Sequence, residues 1–298
     1  MDSVAYGPTG GWYDRKDPTH PFRGIQDVLF FGAMGPPGGG RTHVSPRVLG
    51  QFYLAGFPLL DDENMALIFN TILDWKFKVD GFPSDVAGLT KKIVSATLEI
   101  YKNTSNELRP TPMKVHYTFN LRDFSKVICG VLLLKKTECE GTDRHVRLWI
   151  HEILRVFGDR LIDDSDREWM LLQLREQTKK VFQVSFDEIL SHLDANKDGK
   201  VNTLDEIRTL FFGDMLSPPS APQRPYTECP DIMSLQKDIE GHLSSYNEMT
   251  SKPMDLVCFL YMLEHLARVA RVIKSPGGNA LLVGVGGSGR QSCTRLAC

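Results

Sequence analysis

Gly284-Val-Gly-Gly-Ser-Gly289-Arg290-Gln291-Ser292 puts four glycines and a serine ahead of a cation. A loop of that composition can curl so that its backbone N–H groups point at phosphate oxygens, and a helix after it adds the positive end of its dipole. The spacing meets the template G-x-x-x-x-G-K-[ST], with Arg290 in place of the lysine and the hydroxyl displaced from Gln291 to Ser292. Arginine keeps the charge but exchanges a compact ammonium for a planar, bulkier donor, which predicts weaker or slower nucleotide handling. Gly284, Gly286, Gly287, Ser288, Gly289, Arg290, Gln291 and Ser292 are the candidate nucleotide-binding residues; the alternative is a tight turn with no ligand. A second glycine-rich run, Gly35–Arg41, is a poorer cradle, since Pro36 and Pro37 lack N–H donors. It reads as a rigid loop beside a site.

Another run, Asp194-Ala-Asn196-Lys-Asp198-Gly199-Lys200-Val201-Asn202-Thr-Leu-Asp205, carries oxygen ligands at alternate positions around a glycine. Asp194, Asn196, Asp198, Lys200, Asn202 and Asp205 fall where a calcium loop takes its ligands, and helices expected over residues 186–193 and 204–215 would flank it. Asp205 is shorter than the usual bidentate Glu at position twelve. Two readings stand: a loop holding Ca2+ or Mg2+, and a polar turn between helices.

The elements that must position these residues fall into three textures. Up to about residue 80 the chain is rich in Gly and Pro, and Val28-Leu-Phe-Phe31, closed by glycines, reads as a buried strand delivering a loop to a site. Ser45-Pro46 then predicts a helix over residues 47–55. Residues 82–216 read as a bundle of amphipathic helices. Val86, Leu89, Ile93, Ala96 and Ile100 keep helical spacing, as do Phe124, Val127, Ile128 and Val131, and Trp149, Ile150, Ile153, Leu154 and Phe157. A proline-rich linker, 217–225, leads to residues 226–298, where a helix over 254–274 and a buried strand over 279–285 run into the glycine loop. Only six residues follow Ser292, so the polypeptide is expected to hold part of a larger site.

Composition bounds the partners. The 298 residues carry a net charge of −2 and 42% hydrophobic residues, with no chain-wide basic field for nucleic acid. Six widely spaced cysteines include no C-x-x-C pair, which argues against a zinc module and a disulfide framework. The N-terminus lacks the pattern of a secretory signal, and no stretch reaches the roughly 20 uncharged apolar residues that span a bilayer. An intracellular chain without membrane or nucleic-acid partners is expected.

Gly11-Trp-Tyr-Asp-Arg-Lys16, Gly32-Ala-Met-Gly-Pro-Pro-Gly-Gly-Gly-Arg41, Phe119-Asn-Leu-Arg-Asp-Phe-Ser125 and Leu281–Ser292 together resemble the motor ring of dynein heavy chains, the axonemal branch more closely. The resemblance covers nearly the whole chain. It implies partial AAA+ (P-loop NTPase) modules, an α/β fold plus an α-helical lid, incomplete at both ends. Residues 1–80 would be the later part of the third module's α/β domain, 82–216 its helical lid, and 226–298 the start of the fourth module. The segment ending at Met34 resembles the sensor strand, and Arg122 the lid arginine that reaches a γ-phosphate; a surface ion pair with Asp123 or a neighbour is the plainer reading of Arg122. Gly50 stands where the family pattern places a second arginine. Implied further are ATP or ADP with Mg2+, the rest of the ring with intermediate and light chains, indirect work on microtubules, and a place in the cytoplasm and in the axoneme of cilia and flagella. No catalytic residue is assigned, and the alternative function is a calcium-binding regulatory or scaffold module.

Overall fold

A computed structural model describes residues 10–35, 42–58, 60–139, 141–193, 199–201, 204–217 and 224–298, without the side chains of residues 204 and 205. The chain divides into two compact units, Met1–Leu60 and Asp61–Cys298.

In the first unit β1 (Gly11–Tyr13) pairs antiparallel with β2 (Phe22–Gly24), Trp12 opposite Arg23. A Cβ on Gly11 would lie 2.3 Å from the Arg23 carbonyl oxygen, so only glycine permits this approach. Helix α1 (Pro46–Leu49) opens behind Ser45 as expected but stops at Gly50 after one turn rather than reaching residue 55. The larger departure is Val28–Phe31, which forms no strand and leaves Leu29 and Phe31 83% and 95% exposed. Apolar residues make a buried strand only where neighbouring strands complete the ladder. Here β1 and β2 are engaged with each other.

The second unit begins with α2 (Asp62–Asp80), a helix the sequence reading left within its first region. The Asp61 side chain accepts from the Asn64 N–H at 2.8 Å, and Asp62 and Glu63 follow in the first turn. At its other end Gly81 takes φ +68°, and the Phe82 and Gly81 N–H groups donate to the Phe77 and Lys78 carbonyls, the paired closure that a left-handed glycine allows. Met65, Phe69, Leu73 and Phe77, four apart, bury one stripe of α2 against α4 (Thr90–Glu107). This places α2 in the core of the helical region. A one-turn α3 (Ser84–Ala87) precedes α4; the helix expected as continuous is broken at Gly88 and Leu89.

Helix α5 (Leu121–Val131) starts with a capping box: Asn120 accepts from the backbone, and the Asn120 N–H donates to Asp123 at 3.1 Å. Its Phe124, Val127, Ile128 and Val131 are buried, as their spacing predicts. Helix α6 (Thr142–Val156) is the most enclosed element; Trp149 is fully buried and donates to the Thr97 hydroxyl at 2.9 Å. Helix α7 (Asp164–Gln177) continues into a π-turn over Thr178–Phe182. The helices expected beside the 194–205 run are single turns, α8 (Phe186–Ile189) followed by a 3-10 turn, and α9 (Leu204–Ile207). The chain then enters β3 (Phe211–Gly213) rather than continuing as helix to residue 215.

Strand β3 pairs antiparallel with β4 (Thr227–Cys229), Phe211 opposite Cys229, so the proline-rich linker joins two paired strands. Two long helices follow, α10 (Ile232–Met249), capped by Asp231, and α11 (Leu260–Lys274), which starts six residues later than its hydrophobicity suggests. The last element is α12 (Arg290–Ala297). Residues 279–285, expected as a second buried strand, form no ladder; Leu281, Val283 and Val285 are 83–91% exposed for the same want of neighbours. No helix among the described residues is long and apolar enough to cross a membrane.

Ion pairs bind residues 226–298 to the helical region. Glu152 on α6 is fully buried, takes the Arg271 Nε at 2.9 Å, and accepts from the Tyr226 hydroxyl at 2.9 Å. Arg147 holds Glu228 through two bonds of 2.6 and 2.8 Å, and Arg208 holds Glu264 through bonds of 2.7 and 3.0 Å. Arg268 with Asp159 and Lys274 with Asp214 add two more. Glu152 also needs Gly130: a Cβ there would fall 1.8 Å from Glu152 Oε2. Burial would push the Glu152 carboxyl up, but the Arg271 guanidinium and the His151 hydrogen bond outweigh it and hold the pKa at about 2.

A carboxylate depressed in this way stabilises the folded state when charged, so its contribution is present above pH 4.5 and is lost as the pH falls toward about 2. Glu152→Ala, which strands the buried Arg271, is expected to cost about 3–5 kcal/mol at pH 7. Urea unfolding measures that loss, and a Glu152→Gln chain should show a flatter fall in stability between pH 5 and pH 2 than the parent, to within the span of about three pH units that linkage allows.

Candidate functional site

The glycine loop is carried on α12, and α12 is held from below. Cys293 is buried in an apolar cluster with Phe211, Cys229, Leu235, Ile239, Cys258, Leu263, Leu266 and Ala267, and Leu296 and Ala297 pack on the same cluster. The other face of α12, with Gln291, Thr294, Arg295 and Cys298, turns to a cleft of about 1030 Å3. Gly286, Gly287, Ser288, Gly289, Arg290, Gln291 and Ser292 line that cleft, so the structure brings together seven of the eight loop residues singled out by the sequence. Gly284 lies behind them: a Cβ there would be 3.3 Å from the Ser288 Oγ and 3.4 Å from the Arg290 Cδ.

Backbone geometry explains the glycines. Gly287 and Gly289 take φ +79° and +72°, a region that side chains with a Cβ rarely adopt. Gly289 is the residue before α12, and its carbonyl accepts from the Cys293 N–H at 2.9 Å. The unpaired N–H groups of the first turn thus open at the loop, the arrangement that receives phosphate. The Arg290 guanidinium is engaged by the chain's own backbone. Its Nη2 donates to the Val285 carbonyl at 3.0 Å and its Nη1 to the Leu282 carbonyl at 3.4 Å. No carboxylate lines the cleft among the described residues.

Arg122, the remaining candidate for the nucleotide, does not line this cleft. It follows the Asn120 cap of α5 with its side chain exposed. Of the plainer reading, an ion pair with Asp123 or a neighbour, the structure does not form the pair with Asp123: that buried carboxylate is engaged by Arg160, whose Nη1 reaches Asp123 Oδ2 at 3.0 Å, and by the Asn120 N–H. The helix cap and Arg160, 37 residues further along the chain, occupy both carboxylate oxygens. Of the calcium-loop candidates, Asp194, Asn196, Asp198 and Asn202 and the side chain of Asp205 lie outside the described residues, as do residues 36–41 of the other glycine run. Within the 194–205 run the Val201 N–H donates to Asp187 Oδ1 at 3.0 Å, tying it to α8.

The sequence reading missed Tyr246, Thr294 and Arg295 in the cleft, and the buried charges at the junction. Thr294 and Arg295 were accessible to it by helical spacing from Gln291. Tyr246 was not, because it comes from α10, 40 or more residues earlier in the chain.

Comparison with known proteins agrees in family. Residues 6–59 match a model described as a P-loop containing dynein motor region, residues 93–192 an AAA+ lid domain, and residues 254–298 the P-loop containing dynein motor region D4. The chain is 44% identical over 289 residues to dynein axonemal heavy chain 12 of Mus musculus, 43% over 288 residues to dynein axonemal heavy chain 3 of the same organism, and 36% over 299 residues to dynein axonemal heavy chain 1 of Homo sapiens. Each alignment takes in 97% of this chain and 9%, 7% and 7% of the respective relative, so the chain spans less than a tenth of the proteins it matches.

Burial raises the Cys293 thiol pKa, whereas Cys298, one turn on, is exposed. In the native chain a thiol reagent at pH 8 is expected to modify Cys298 at least about tenfold faster than Cys293, and denaturant should equalise them. Peptide mapping of the labelled cysteines reads the difference; equal native rates would mean that α12 is not docked.

Proposed function

The chain belongs to the axonemal dynein heavy chain family, and from that premise we propose that Gly284–Ser292 binds the phosphates of ATP or ADP, with Mg2+, without turning the nucleotide over by itself. One observation carries the reading: two left-handed glycines lead straight into the N-terminus of α12 and open it on a cleft. The loop's backbone N–H groups would take the phosphate oxygens, and Ser292 is the hydroxyl available to a metal ion. Hydrolysis needs an acidic metal ligand and a group to orient water. The described lining of the cleft includes no Asp or Glu side chain to serve as that metal ligand.

Within the whole heavy chain, residues 82–216 would serve as the helical lid of the third module and residues 226–298 as the start of the fourth. The lid match at 93–192 and the D4 match at 254–298 support that order. Arg122, exposed at the N-terminus of α5, would face the third module's nucleotide rather than the cleft at α12. The remaining partners follow from the family: the other modules of the ring, intermediate and light chains, and through them microtubules in the axoneme. The function served is ATP-driven movement of cilia and flagella.

The purified chain with Mg2+ is expected to bind a fluorescent ATP analogue saturably, and Gly289→Val, which forces a Cβ into the left-handed region, to weaken binding at least about tenfold. Phosphate release should stay at the buffer rate in both. Absence of binding by the parent chain, or steady release abolished by Gly289→Val, would refute the proposal.

A further inference from the structure

The cation of the glycine loop lines the cleft, but its guanidinium is engaged by the chain's own backbone. Arg290 folds back along the segment before the loop, with Nη2 on the Val285 carbonyl at 3.0 Å and Nη1 on the Leu282 carbonyl at 3.4 Å. Gly284 leaves the space for this path: a Cβ there would stand 3.4 Å from Arg290 Cδ and 3.5 Å from Arg290 Nε. Neither residue has a strand partner among the described residues, and the Val285 carbonyl accepts one further hydrogen bond, from the Ser288 N–H at 3.4 Å.

We infer that Arg290 is a positioning residue, a brace that holds residues 282–285 to the start of α12, and that the loop contacts phosphate through its backbone N–H groups while the guanidinium stays on the chain. The inference rests on the phosphate-binding reading of the loop. The chemistry follows from the shape of the side chain. A planar guanidinium presents several donors in a fixed fork and satisfies two carbonyls three residues apart at once; an ammonium is a compact point charge that holds one and is released more easily toward an anion. Arginine therefore trades affinity for order in the segment that leads into the loop. Lysine at this position would make the opposite trade.

Two measurements on the full chain test this. The first is equilibrium binding of Mg-ATP to the parent, Arg290→Lys and Arg290→Ala. Arg290→Lys is expected to bind at least tenfold tighter than the parent, and Arg290→Ala to lose no more than threefold. A loss of tenfold or more in Arg290→Ala, with no gain in Arg290→Lys, would overturn the inference by showing that the guanidinium already grips phosphate. The second is hydrogen–deuterium exchange without nucleotide. Arg290→Ala should raise uptake in the peptide spanning residues 281–289 at least threefold, and unchanged uptake would overturn the brace. If no chain binds Mg-ATP but uptake rises in Arg290→Ala, the brace holds and it is the phosphate-binding reading that fails.

Discussion

Taking the Glu152 carboxylate wholly out of water at the junction of the helical region with residues 226–298 obliges several other parts of the chain to conform. A buried charge is tolerated only when opposite charge and hydrogen bonds replace the lost hydration. Arg271 must therefore come from α11, Tyr226 from the entry to β4, and His151 from the same turn of α6. Gly130 on α5 must stay bare so that the carboxylate fits beneath it. One acid thus sets the approach of α5 to α6, the seating of α11, and the path of the chain after the proline-rich linker. Glu228 with Arg147 and Glu264 with Arg208 repeat the device on either side. Each pairs one residue of the helical region with one from beyond the linker.

What hangs from this junction is the glycine loop. Helix α11 carries Arg271 and also Leu263, Leu266 and Ala267, and those apolar residues belong to the cluster that receives Cys293 of α12. The charge network and the support of the phosphate cradle therefore share one helix. Support is unequal on the two sides of the loop. Helix α12 is seated on an apolar cluster, whereas residues 279–285 enter the loop without a ladder, held by hydrogen bonds from Arg290. Val28–Phe31 in the other unit shows the same condition, apolar side chains facing outward where a sheet would cover them. Among the described residues strand pairing is confined to two antiparallel pairs, and neither includes these segments.

How much was legible in advance follows from how local each signal is. The stripes Phe124, Val127, Ile128, Val131 and Trp149, Ile150, Ile153, Leu154 announce their helices because burial on one face of a helix repeats within a few residues. The glycines at 287 and 289 announce a loop because positive φ is a property of the single residue. Helix limits were less legible: α1 stops at Gly50 and α11 waits until Leu260, although hydrophobic spacing continues on both sides. Local pattern states that a face is apolar. Whether a turn of helix forms there depends on what covers it.

By itself, then, the amino-acid sequence determined the family, the helical bundle, the phosphate-type loop and the residues within it, since each rests on neighbours in the chain. Tertiary structure alone decided the rest. Glu152 meets Arg271 across 119 residues and Arg147 meets Glu228 across 81, and nothing in the spacing of either pair foretells it. It also decided that two strand-like runs remain unpaired and that the Arg290 guanidinium bonds to the Leu282 and Val285 carbonyls. The physical reason is common to all of these. Charge pairing, ladder closure and the direction of a long side chain depend on which groups stand nearby in space, and for distant segments that is settled only when the chain has packed.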